Sequence, residues 1–121
     1  MTTHHECATP GGSLQVRVAD TFVTRGLGLL VGAPLDTAEG LLIAPCSSIH
    51  TFGMRYAIDV VFVDREGQVV RVCRDVRAAR ARFAGGAHAV LELRAGVAAQ
   101  HGLTPGVRLD ALASVLAAKP S

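Results

Sequence analysis

Leu14-Gln15-Val16-Arg17-Val18-Ala19 alternates apolar and polar residues, the period-2 mark of a half-buried strand. Asp20 then stands where a helix N-cap would, its carboxylate able to accept from the free amides that follow. Phe22, Val23, Leu27, Leu29, Leu30 and Val31 predict a short helical segment, weakened by Gly26 and Gly28 and stopped at Gly32-Ala33-Pro34. Asp36-Thr37-Ala38-Glu39 has capping-box spacing and predicts one turn. Gly40 to Ala44 is a short apolar strand ending at Pro45. Ile58 to Val63 is apolar nearly throughout and reads as a strand buried on both faces. Asp64-Arg65-Glu66-Gly67 is a turn, and Gln68 to Cys73 returns as the second strand of a β-hairpin.

Arg74 to Arg82 reads as a charged connection closed by Gly85-Gly86, and Ala89 to Leu93 as another strand. Gly96 to His101 predicts one or two helical turns with Gly102 as C-cap. Thr104-Pro105-Gly106 is a turn and Val107 to Leu109 a short strand. Ala111 to Ala118 fits a strand or a short helix equally. Residues 1–12, polar and closed by Pro10-Gly11-Gly12, read as a flexible N-terminal arm, leaving 13–118 as a single globular domain. The expected fold is mainly β (α+β): a compact, mostly antiparallel sandwich or partly closed barrel with two short helices.

Composition narrows the function classes. A chain of 121 residues makes one domain, and 50% hydrophobic residues exclude a disordered one. Aromatics are only 4%, which argues against a surface built on stacked rings. The formal net charge of +2 is too small to make nucleic acid or an anionic membrane the main partner. No apolar run reaches the ~18 residues that cross a bilayer, and the polar start has no apolar signal-peptide core. Cys7, Cys46 and Cys73 are an odd number without CxxC spacing, so they read as reduced thiols of a cytoplasmic protein.

Asp59 is the most informative residue, because it interrupts the most apolar strand. A bare carboxylate buried there would cost several kcal/mol, on the order of ~5, unless paired. Arg25 and His50 are the expected partners. The pair or hydrogen-bond network would pin a helix to the sheet, or would anchor an acid at the floor of a pocket.

The segment Cys46-Ser47-Ser48-Ile49-His50-Thr51-Phe52-Gly53-Met54 carries the other candidate chemistry. Cys46, His50 and Met54 recur every four residues, a thiolate, imidazole and thioether set that suits copper, or zinc through the first two. In a helix such residues lie ~6 Å apart on one face; in a strand they lie ~13 Å apart, too far to share an ion. Two Ser, two β-branched residues and Gly53 disfavour the helix. Cys46, Ser47 or Ser48 with His50 and Asp59 would also make a hydrolytic triad, but no GxSxG elbow surrounds the serines. Residues 71–82 hold Arg71, Arg74, Arg77, Arg80 and Arg82 against Asp75, a local basic stretch able to meet phosphate or an acidic partner. No aromatic is interleaved to stack bases.

Arg25-Gly26-Leu27, Gly40-Leu41-Leu42, Ile49-His50-Thr51-Phe52-Gly53-Met54, Ile58-Asp59-Val60-Val61-Phe62-Val63-Asp64 and Gly67-Gln68-Val69-Val70 follow one another in order, with Val90-Leu91-Glu92-Leu93, Ala95-Gly96 and Gly106 downstream. This ordered set resembles the bacterial and archaeal domain-of-unknown-function family DUF192, over residues 14 to 110. The resemblance implies a single mostly-β domain without an established activity, in a family whose members are often exported or membrane-associated. It marks Arg25, Met54 and Asp59 as positions the family motif emphasises. This chain has Tyr56-Ala57 where Phe-Pro is usual, Arg94 where Pro is common, and Val107 where an acid often follows the Gly. Residues and resemblance together give a small binding or accessory module, non-catalytic and without a cofactor, for an unidentified ligand or protein partner. Its candidate pocket is His50, Thr51, Met54, Arg55 and Asp59, with Arg25 behind. Metal binding or hydrolysis at Cys46, His50 and Asp59 is the alternative.

Overall fold

The computed structural model describes residues 4–19, 35–50, 56–77 and 80–118. They form eight strands: β1 His4–Thr9, β2 Gly12–Ala19, β3 Glu39–Ile43, β4 Ser48–His50, β5 Ile58–Val63, β6 Val69–Val76, β7 Ala81–Phe83 and β8 Ala89–Arg94. Two helices follow, α1 Val97–Gln100 and α2 Asp110–Ala118. Six strands make one open mixed sheet in the order β1-β2-β3-β8-β5-β6, and β4 pairs with β7 as a separate ribbon. β2 and β3 run parallel; the other neighbours in the sheet are antiparallel. The mainly β, mostly antiparallel expectation with two helices therefore holds, in a sheet that stays open.

β5 and β8 are interior strands, each paired on both sides and covered on both faces, which is why they read as apolar throughout: all six residues of β5 are buried. One face, the helix face, carries Leu14, Val16, Leu42, Val61, Leu91 and Leu93, against which α1 and α2 press Val97, Ala98, Leu112 and Leu116. The opposite face carries Leu41, Ile43, Ile58, Val60, Phe62 and Cys73. Leu35, Ala84 and half-buried Cys46, Ile49 and Tyr56 cover it, so the β4–β7 ribbon lies on this side, the ribbon face. No helix among the described residues is long and apolar enough to cross a membrane.

Several local signals act as their chemistry requires. The Asp36 N–H donates to Glu39 Oε1 at 2.9 Å, the returning half of the capping box. In the β5–β6 turn, the N–H groups of Glu66 and Gln68 donate to Asp64 Oδ1 at 3.0 and 2.9 Å. Gly67 closes that turn with φ 76°, and a Cβ there would stand 2.6 Å from the Leu109 carbonyl oxygen.

The structure corrects the sequence reading in three places and settles the open one at Ala111–Ala118; the expected Val107–Leu109 strand is reduced to a single bridge between Arg108 and Gln68. Residues 4–9, read as part of a flexible arm, form β1, paired along its length with β2. The burial of β1 alternates, with His4, Glu6 and Ala8 exposed and His5, Cys7 and Thr9 turned inward, but only Cys7 is fully buried and apolar; main-chain pairing holds the strand, with Thr9 Oγ1 2.6 Å from His101 Nδ1. The charged connection is β6 prolonged to Val76 and then β7, with residues 78 and 79 between them outside the described set. The ambiguous Ala111–Ala118 segment is helical, with Leu112 and Leu116 buried one turn apart. The helical segment read between Asp20 and Val31 lies outside the described residues.

Candidate functional site

Asp59 is fully buried, and backbone amides hold it. Opposite it, β6 carries a bulge: Ile58 faces Val76 and Val60 faces Cys73, so Arg74 and Asp75 together oppose Asp59. Asp75 takes φ 53°, and its N–H donates to Asp59 Oδ1 at 2.9 Å. Oδ2 accepts from the N–H groups of Gly96 and Ala98, both at 3.0 Å. Gly96 is the N-cap of α1 and has no side chain to cap with, so Asp59 serves as the cap from the neighbouring strand. A hydrogen-bond network pins a helix to the sheet here, but the helix is α1; the segment carrying Arg25 that the sequence pointed to lies outside the described residues. The network's described donors are amides of the bulge and the helix, whereas the sequence pointed to the bases Arg25 and His50.

The remaining pocket candidates fare differently. Arg25, Thr51, Met54 and Arg55 lie outside the described residues, and His50 is described only by its backbone in β4, opposite Ala81. Ser48–His50 is extended, so the helical spacing that would bring Cys46 and His50 to one ion is absent. Cys46 packs on the ribbon face while Asp59 bonds to the helix side, so the sheet separates the nucleophile and the acid of the supposed triad. The Cys46 thiol donates to the Ser48 carbonyl at 2.9 Å. Beside it Pro45, Cys46, Ser47, Ser48, Ala87 and His88 line an open cleft of ≈ 430 Å³. Burial and then Arg65 hold the His88 imidazole below its ordinary range. Among the described residues no three His, Cys, Asp or Glu side chains are placed to share a metal ion.

The basic stretch is an exposed edge. Arg71 donates to the Phe83 carbonyl, Arg82 to the Ala81 carbonyl at 2.7 Å, and exposed Arg77 lies 3.6 Å from exposed Asp75. Phe83 between them is 70% exposed.

A second buried acid went unnoticed in the sequence. Glu92, in the middle of β8, is 5% exposed. It stands on the ribbon face in a row that crosses the sheet: Arg17 beside Leu41, Leu41 beside Glu92, Glu92 beside Val60. Among the described residues no hydrogen bond or ion pair reaches its carboxyl, and burial pushes that carboxyl up to about 8. Two polar atoms are buried there with no hydrogen-bond partner among the described residues, Arg17 Nε and the Tyr56 hydroxyl. Burial raises the Tyr56 phenol above its ordinary range; the Leu35 backbone opposes this, Glu92 adds to it, and Arg17 opposes it. The Leu35 backbone thus acts on the hydroxyl without reaching hydrogen-bond geometry. Tyr56 feels both Arg17 and Glu92, so its hydroxyl ties the two ends of the cluster together. The signal for Glu92 was in the sequence: like Asp59, it is an acid inside an apolar strand, Val90-Leu91-Glu92-Leu93.

Comparison with known proteins sets these residues in a lineage. A model of the DUF192 family, described as an uncharacterized ACR, matches residues 5–111. The UPF0127 protein of Pyrococcus horikoshii is 39% identical over 61 residues, which cover 48% of this chain and 53% of that protein. The match thus spans about half the length of that relative. Among solved structures, a protein of unknown function from Novosphingobium aromaticivorans superposes with TM-score 0.75 at 21% identity, covering 89% of this chain and 84% of its own. A Sinorhizobium meliloti protein described as a candidate transcription regulator superposes with TM-score 0.76 at 20% identity, covering 90% of this chain and 92% of its own. At such identities the likeness is one of fold.

Proposed function

Since the chain belongs to the DUF192 family, an uncharacterised family, we propose from its own geometry that it is a non-catalytic ligand-binding module, with its site on the ribbon face at Arg17, Tyr56 and Glu92. The carrying observation is one buried carboxyl without a partner among the described residues, flanked by two buried polar atoms that also lack one. A buried polar group left unsatisfied costs about 1–3 kcal/mol. Two such atoms beside a buried, unpaired carboxyl are a standing penalty that a ligand supplying the missing hydrogen bonds would remove. Asp59 supports the same reading by contrast, since its hydrogen bonds are complete and it has structural work to do. The candidate pocket read from the sequence adjoins this site along the chain, for the run His50 to Arg55 leads directly into Tyr56.

The test is protein-detected NMR with four small probes of different chemistry: a carboxylate, an amine, inorganic phosphate and a neutral polyol. Saturable shifts at the Arg17 Nε–H, the Tyr56 ring and Glu92, with α2 unmoved, are the expected result. Probes that leave all three residues unmoved would overturn the proposal.

A further inference from the structure

We infer that the ligand of this site is a small monocarboxylate with an apolar tail, its oxygens taken by the Arg17 guanidinium, the Tyr56 hydroxyl and the Glu92 carboxyl acting as a donor. The inference rests on the binding-module reading and adds the ligand's class. Arg17 and Glu92 stand two strands apart in one row, roughly 10 Å between backbones, with Leu41 between them. No ion pair joins them among the described residues, and burial alone accounts for the raised Glu92 carboxyl. The two ends of the site are therefore held apart, with the Tyr56 hydroxyl coupled to both.

The donor set selects the charge. Arg17 is a fixed cation, the phenol is a donor, and a carboxyl that ionises only at about 8 carries its proton at neutral pH. Three donors suit an oxyanion, and a guanidinium suits a carboxylate in particular. An amine would meet the charge of Arg17 and would need Glu92 ionised against its own burial. A phosphate dianion would bring two charges to one cation. A divalent metal would find one carboxylate where it needs several oxygen ligands.

The surroundings select the tail. Leu41 and Val60 flank Glu92 in its row, and Leu35 lies over the same face. The other titratable groups of the row are His4, exposed beyond Arg17, and Cys73, beyond Val60. The neighbouring row of the same face carries Glu39, whose Oε1 already accepts from the Asp36 N–H, and Arg94, an exposed cation two residues along β8 from Glu92. Binding should then follow Glu92: above about 8 its ionised form meets the bound anion as a like charge, and affinity falls by up to tenfold per pH unit.

The experiment titrates the folded protein with butyrate, benzoate, butylamine and inorganic phosphate at pH 6.5 and 9, followed by NMR at Tyr56 and Arg17. Butyrate and benzoate should bind saturably at pH 6.5 and at least several-fold more weakly at pH 9, with butylamine and phosphate binding neither as tightly nor at the same residues. Glu92→Gln keeps a donor and cannot ionise, so it should bind butyrate at both pH values alike. Arg17→Met should lose tenfold or more. Circular dichroism of both variants establishes that they fold, and the wild-type pH comparison stands without them. Butylamine binding at these residues as tightly as butyrate would overturn the carboxylate class and leave the binding module standing. Butyrate binding that is equal at both pH values in the wild type would overturn the donor role of Glu92. No shift with any probe would overturn both.

Discussion

Replacing Asp59 by Ala removes the acceptor for three N–H groups at once. Its oxygens take the amides of Asp75, Gly96 and Ala98 at 2.9, 3.0 and 3.0 Å. Asp59 and Ala98 are 0% exposed, so water cannot replace the bond between them without opening the structure, while Asp75 and Gly96 are exposed residues whose amides water replaces in part. Each orphaned amide costs about 1–3 kcal/mol, and neighbouring losses do not add fully. Asp59→Ala should therefore destabilise by ~3–5 kcal/mol, a large share of the ~5–15 kcal/mol of a typical domain. Asp59→Asn keeps one oxygen and turns an amide donor toward another donor, so it should cost ~1.5–3 kcal/mol. The assay is urea unfolding followed by far-UV circular dichroism, since the chain has no Trp and one Tyr. Amide exchange adds a local readout: α1 has only four residues and relies on this cap, so Gly96 and Ala98 should lose protection first. The same unfolding series on Arg25→Ala and His50→Ala separates an acid held by amides from one that also leans on a base. A loss below 1 kcal/mol for Asp59→Ala would refute the reasoning.

Three further outcomes follow from the same geometry. Glu92 ionises near 4.5 in the unfolded chain and at about 8 when folded, so between those values the folded protein holds a proton that the unfolded one has released. Stability is greatest below the lower value and should fall by roughly 5 kcal/mol as pH rises through the window, at ~1.4 kcal/mol per pH unit; Glu92→Gln should flatten the curve, and parallel curves would count against an unpaired buried carboxyl. Of the three thiols, half-buried Cys46 should react first with a disulfide reagent, while Cys73 is shielded by burial and Cys7, pushed up to about 11, stays protonated; equal native rates would contradict this. Gly67→Ala should cost at least ~2–3 kcal/mol in the same unfolding assay, because φ 76° disfavours a side chain and the Leu109 carbonyl oxygen would lie 2.6 Å from the new Cβ.

The parts of the fold that were legible are those whose burial is written in side chains. β5 reads as a central strand because all its residues are buried, and the β5–β6 turn declares itself through Asp64 and Gly67. β1 was illegible because its inward positions are His5, Cys7 and Thr9, so the alternation in burial is not written in hydrophobicity; its place is set by main-chain pairing with β2 and by the His101 contact. The far end of β6 hid for another reason. Its bulge puts two residues against Asp59, which breaks the alternation at Arg74 and Asp75 and makes the strand look like a charged connection. The β4–β7 ribbon is two strands of three residues each, too short for either period.

The two buried acids show why charge inside an apolar strand locates a site without naming its use. Asp59 and Glu92 send the same signal, and desolvation demands an answer at both. On the helix face the answer is local: a bulge frees one amide, a helix start frees two, and a short carboxylate on the adjoining strand collects all three. Backbone donors leave no trace in residue identity, so a search for a basic partner had nothing to find. On the ribbon face the described residues offer Glu92 no such donor, and the acid answers by keeping its proton. The first solution consumes the acid in architecture. The second leaves a hydrogen-bonding group idle beside Arg17 and Tyr56, which is the condition a binding site must meet before any ligand arrives.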